Sequence, residues 1–147
     1  MKSALLVNLP KYDLHASPGA IGIIRGMCES QNLQTNTLDF NVYLYNNLTK
    51  DEWWTVDNWC KFLDNKLPQA LEDKILNLWD RAVQEHLPQS CEFMMISVFS
   101  YWTMYIARLL ITHESKKLRP YKLVVGGNGC ISTFPDTKLS FEEWNQK

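Results

Sequence analysis

Asp13 and His15 stand two apart in the loop that follows the first apolar run of the chain. An aspartate that close to a histidine can orient an imidazole that ligates a metal. The plainer alternative is two exposed polar loop residues. Ser97 and Ser100 close a second apolar run, where small hydroxyls can hydrogen-bond a ligand, although Ser100 is equally placed to cap the helix after it. Gly126-Gly127-Asn128-Gly129 closes a third run. A tight turn needs one or two residues at positive φ, and Asn-Gly supplies them. Three glycines exceed that need and favour close approach of a ligand to the backbone.

These residues need a scaffold that brings three loops together, and the hydropathy pattern supplies one. Ala4 to Leu9, closed by Pro10, reads as a strand buried on both faces. A helix capped by Ser17 and Pro18 follows through Ile21, Ile24 and Met27 to about Ser30, with Asn32 as its stop. Gly22 and Gly26 lie on one face of it, so that it could sit close to a sheet. Leu33 to Val42 is the second strand, with Asp39 near its end. Thr49-Lys50-Asp51-Glu52 matches a capping box and opens a helical region to about Leu87, divided near Pro68. Leu71, Ile75, Leu78, Trp79 and Ala82 form one amphipathic face there. Glu92 to Ser100 is the third strand and Tyr101 to Lys117 the next helix, its inner side carrying Met104, Ala107, Leu110 and Ile111. Tyr121 to Val125 is the fourth strand.

Strands of buried type alternating with helices predict an α/β fold, a parallel sheet wrapped on both faces with right-handed crossovers. In such sheets ligands bind beyond the carboxyl ends of the strands, where the strand order reverses. The loops that matter are then those from Pro10 to Pro18, Ser97 to Trp102 and Gly126 to Ser132.

Composition and missing motifs narrow the function. With 147 residues, 46% hydrophobic and 21% charged, the chain suits one globular domain. A net charge of -1 gives no general case for binding nucleic acid or an anionic membrane. Cys28, Cys60, Cys91 and Cys130 are too widely spaced for a structural zinc or iron–sulfur site, and read as buried free thiols. No signal peptide or membrane span is visible, so the expected home is the cytoplasm. GxGxxG, GxxxxGK[ST] and GxSxG are all absent, which argues against dinucleotide, NTPase and hydrolase sites of the usual kinds.

Together, "ALLVNLP", "PGAIGIIRGMCESQN", Asp39, "MMISVFS" and "YKLVVGGNG" resemble the cobalamin-binding domain at the N-terminus of many radical SAM enzymes. The resemblance covers roughly residues 1 to 132, leaving 133 to 147 as a short polar tail. It implies a Rossmann-like, flavodoxin-like three-layer sandwich with cobalamin over the carboxyl edge of a sheet ordered 2-1-3-4-5. It implies cofactor contacts from Pro10, Asp13, His15, Ser97, Ser100, Tyr101, Gly126, Gly127, Asn128 and Gly129. Related methyl-transfer proteins carry Asp-x-His-x-x-Gly, whose histidine ligates cobalt. Asp13-Leu14-His15-Ala16-Ser17-Pro18-Gly19 has one residue more before the glycine, and His15 is the corresponding metal candidate.

Two departures shape the expectation. The fifth strand and its helix are missing or shortened after Ser132, giving the order 2-1-3-4. The CxxxCxxC motif of a radical SAM core is absent, so this chain carries no iron–sulfur cluster of that kind and no radical catalysis of its own. The expected role is a cobalamin-binding module whose partner is a radical SAM domain or subunit supplied elsewhere. A fragment, a truncated product and one half of a split enzyme remain open. The alternative is a protein-interaction module that keeps the fold without a working pocket.

Overall fold

A computed structural model describes residues 2–10, 19–59, 66–98 and 104–127. Four strands, β1 (Ser3–Asn8), β2 (Gln34–Asp39), β3 (Cys91–Ser97) and β4 (Lys122–Gly126), form one parallel sheet ordered β2-β1-β3-β4. Five helices connect them: α1 (Gly19–Ser30), α2 (Phe40–Asn47), α3 (Lys50–Trp59), α4 (Gln69–His86) and α5 (Met104–Ser115). The fold is a Rossmann-like α/β three-layer sandwich, as the alternating pattern predicts.

β1 is central, and every residue of it is buried. Register divides the sheet into two faces. On one, Leu38, Val7, Ile96 and Val125 lie side by side, with Leu5, Met94 and Leu123 in the row below. This face meets Phe40 and Leu44 of α2, Val56 of α3, Ile75, Trp79 and Ala82 of α4, and Ile106, Ala107 and Leu110 of α5 in one core. Each fully buried aliphatic side chain there contributes about 1.5–3 kcal/mol. The Phe40 and Trp79 rings meet edge to face, their centroids 5.1 Å apart.

The other face is served by α1, which packs on β1 and β2. Its middle row runs Thr37, Leu6, Met95, Val124. Burial fades along that row toward the edge: Leu6 is fully buried, Met95 half-buried, and Val124 is 43% exposed.

Several boundaries move. The second strand ends at Asp39 rather than Val42, because the Asp39 carboxylate accepts from the Asn41 and Val42 amides and starts α2. The third strand ends at Ser97 rather than Ser100, and the fourth runs one residue later than expected. The capping box forms as predicted: the Thr49 amide donates to Glu52, and the Glu52 amide to the Thr49 hydroxyl. Asn32 takes φ 58° just beyond α1, as a helix stop requires.

Expectations for α1 need correction. Gly22 and Gly26 do not bring it close to the sheet, since among the described residues nothing lies within 4 Å of a Cβ at either. Of its apolar residues only Ile21 is buried, while Ile23 and Met27 are about two-thirds exposed, at 68% and 65%. The inner face of α4 is as expected, with Leu71, Ile75, Leu78, Trp79 and Ala82 all buried. Cys91 is a buried free thiol and Cys28 only half-buried, while Cys60 and Cys130 lie outside the described residues. Among the described residues no helix is long and apolar enough to cross a membrane.

Candidate functional site

Strand order reverses between β1 and β3, so the switch point of the sheet lies between their carboxyl ends. The residues there form a single row across all four strands: Asp39, Asn8, Ser97, Gly126. A shared register puts their side positions on one face, the half-covered face that α1 serves. Asn8 is buried at 3% exposure and donates through Nδ2 to Asp39 Oδ1 over 3.3 Å. The same aspartate oxygen caps α2, which holds the Asn8 amide at the end of β1. Ser97 lies on the other side of the switch point, half-buried.

The two described glycines at the end of β4 differ. Gly127 adopts φ 108°, and a Cβ there would collide with the Val98 backbone carbonyl. The amide of Val98 in turn donates to the Gly126 carbonyl over 2.8 Å. Gly127 is therefore required by the turn that presses the end of β4 against the segment leaving β3. Gly126 has ordinary backbone geometry, and among the described residues nothing lies within 4 Å of where its Cβ would be. Of the two, only Gly126 leaves room for a ligand to come close to the backbone.

Of the other sequence-based candidates, Pro10 is buried beside the end of β1. Asp13, His15, Ser100, Tyr101, Asn128 and Gly129 lie outside the described residues. Comparison of the chain with protein-family models, with curated proteins and with solved structures found no match. The chemistry open to the carboxyl edge follows from its own groups. It offers an amide, a carboxylate and a hydroxyl in line, ending at a glycine with open space: hydrogen-bonding groups and a clearance, with no nucleophile–base pair among them.

Asn8 was not among the sequence-based candidates. Its signal was a single polar residue inside an otherwise apolar run, one position from the strand's end. Asp39 enters the sequence reading as a strand end and as part of the resemblance, but not as a site residue.

A dense ionisable cluster lies elsewhere, before the amino end of β4. Glu114 of α5 is fully buried and accepts from Trp79 Nε1 at 2.8 Å, Tyr121 Oη at 2.5 Å and Lys117 Nζ at 3.0 Å. Burial alone would raise its pKa, but these donors together hold the carboxyl below the usual range. Burial and the adjacent Glu114 carboxylate push the Tyr121 phenol far up. Lys117 also meets Asp80 of α4 at 2.5 Å, and His113 meets it at 2.9 Å. With its carboxylate buried and its carboxylate contacts internal, Glu114 works as a clasp joining α4, α5 and the residue that leads into β4. Among the described residues no group of three His, Cys, Asp or Glu could hold a metal ion.

Proposed function

We propose that the carboxyl edge of this sheet is a cobalamin-binding surface, in a module that holds the cofactor for a radical SAM enzyme supplied elsewhere. The observation that carries the reading is the row Asp39–Asn8–Ser97–Gly126 at the switch point, with open space beside Gly126. A large cofactor tail needs both a clearance in the sheet's edge and neutral hydrogen-bonding groups beside it. Asn8 and Ser97 would supply the second and Gly126 the first. Cobalamin, when bound, would carry the transferable methyl group. The chain's residues would orient it and exclude water around it. His15 remains the candidate cobalt ligand by resemblance.

Titration of the intact chain with hydroxocobalamin, followed by absorbance and calorimetry, tests the reading. Saturable binding with a shifted corrin spectrum is the expected result, weakened by Gly126→Val. A folded chain that leaves the spectrum unchanged overturns it.

A second reading, a protein-interaction module, is favoured by the fading burial from Leu6 through Met95 to Val124. An edge strand with a half-covered apolar face is a site where another chain can add. Light scattering separates the two: a monodisperse monomer that binds cobalamin leaves only the first.

A further inference from the structure

A parallel sheet carries apolar residues on both sides and is found with both faces covered. Here one face is covered in full, by the core shared with α2, α3, α4 and α5. On the other, α1 packs on β1 and β2. Over β3 and β4 that second face carries Phe93, Met95 and Val124, which alternation and register place on the same side as Leu6. Phe93 and Met95 are half-buried and Val124 is 43% exposed, whereas Ala4 and Leu6 of β1 are fully buried.

Besides Met1, the stretches outside the described residues are 11–18, 60–65, 99–103 and 128–147. Residues 11–18 and 99–103 are short links from β1 into α1 and from β3 into α5. Residues 60–65 join α3 to α4, which belong to the opposite face. Residues 128–147 follow directly from β4, beside the open half-face, and number twenty. A chain of that length reaches several times the spacing of about 4.8 Å between neighbouring strands. Its charged residues make it polar on average, yet it carries Ile131, Phe134, Leu139, Phe141 and Trp144. We propose that residues 128–147 fold back over β3 and β4 and cover Phe93, Met95 and Val124 with apolar side chains from this set. One segment laid on an open half-face encloses these residues less completely than the main core encloses Met94. The cover does not depend on what the carboxyl edge binds, and with it in place the same face is closed to another chain.

The test uses the full chain with ¹³C-labelled methionine and valine methyl groups, and a soluble gadolinium chelate that broadens exposed methyl signals. Met94 in the core and Met27, 65% exposed, are the references for enclosed and open methyls. Val124 and Met95 should be broadened far less than Met27, and to the same extent at every protein concentration. Phe141→Ser with Trp144→Ser, or Phe134→Ser with Leu139→Ser, should remove that protection while Met94 stays protected, which shows that the sheet is still folded. Three outcomes overturn the proposal. One is a Val124 signal broadened as much as that of Met27. Another is protection that survives both pairs of substitutions. The third is protection that falls on dilution, which would identify a second copy as the cover.

Discussion

The Val98 carbonyl occupies the space where a side chain on Gly127 would have to go. That contact separates two explanations of a glycine-rich strand end which the sequence leaves together. Gly127 serves the turn, and Gly126 leaves room. Gly127→Ala should cost about 1–3 kcal/mol in urea denaturation, from strain at positive φ and displacement of the Val98 backbone. Gly126→Val should change stability by less than about 0.5 kcal/mol, while hydroxocobalamin binding falls. If Gly126→Val unfolds the chain, the space beside it is not free.

The Glu114 clasp makes a prediction about acid. Trp79, Tyr121 and Lys117 all donate to one sealed carboxylate, so Glu114→Ala leaves buried donors and a cation without their acceptor. The expected loss is about 3–5 kcal/mol. The folded carboxyl lies below its ordinary value, as does that of Asp80, where Lys117 and His113 outweigh the effect of burial. A depressed carboxyl contributes fully above the ordinary carboxylate range and loses that contribution as pH falls through the folded value. Urea midpoints should therefore hold from neutral pH down to the ordinary carboxylate range and drop as pH falls through and below that range. Glu114→Gln should be less stable at pH 7 and show a shallower decline. A variant with the wild-type slope would mean that other groups govern acid sensitivity.

Much of this architecture is legible in the chain. Apolar runs of strand length and the spacing of Leu71, Ile75, Leu78, Trp79 and Ala82 give the strands and the buried face of α4, because burial acts on those side chains directly. The end of β2 is not legible, since Leu38, Phe40 and Val42 continue a strand-like pattern. One hydrogen-bonding aspartate overrides it by opening a helix. The face of α1 is misleading for a related reason: small residues permit close packing but do not cause it, and no described residue approaches Gly22 or Gly26. Asn8 escapes notice because its importance lies in register with Asp39 and Ser97, and pairing between distant strands is not written in local pattern. The Glu114 clasp escapes for the same reason, its donors lying 35 residues before it and 7 after it.

Met94 and Met95 are neighbours on opposite faces of β3, and they should respond differently. Met94 is fully buried in the main core, and its replacement by alanine should cost about 2–5 kcal/mol. Met95 lies in the row where burial fades toward Val124. Its replacement should cost less than half as much, because less apolar surface returns to water. Denaturation of the two variants at several protein concentrations checks this. Equal losses would show that the Met95 face is covered in solution, and a concentration-dependent loss would identify a second copy as the cover.

Asp39 joins fold to site through one oxygen, which accepts from the Asn41 and Val42 amides and from the Asn8 side chain. Asp39→Ala should cost about 0.5–2 kcal/mol through the lost cap alone. It also releases the Asn8 amide, so hydroxocobalamin affinity should fall by more than the stability change explains. Asp39→Asn separates the two effects from loss of charge. An asparagine caps a helix about as well as an aspartate and keeps one oxygen for the same three donors. Stability and cofactor affinity should both return in Asp39→Asn if position and hydrogen bonding are what matter. If stability returns and affinity does not, the negative charge itself takes part in binding, and the row at the carboxyl edge acts electrostatically rather than as a neutral cradle.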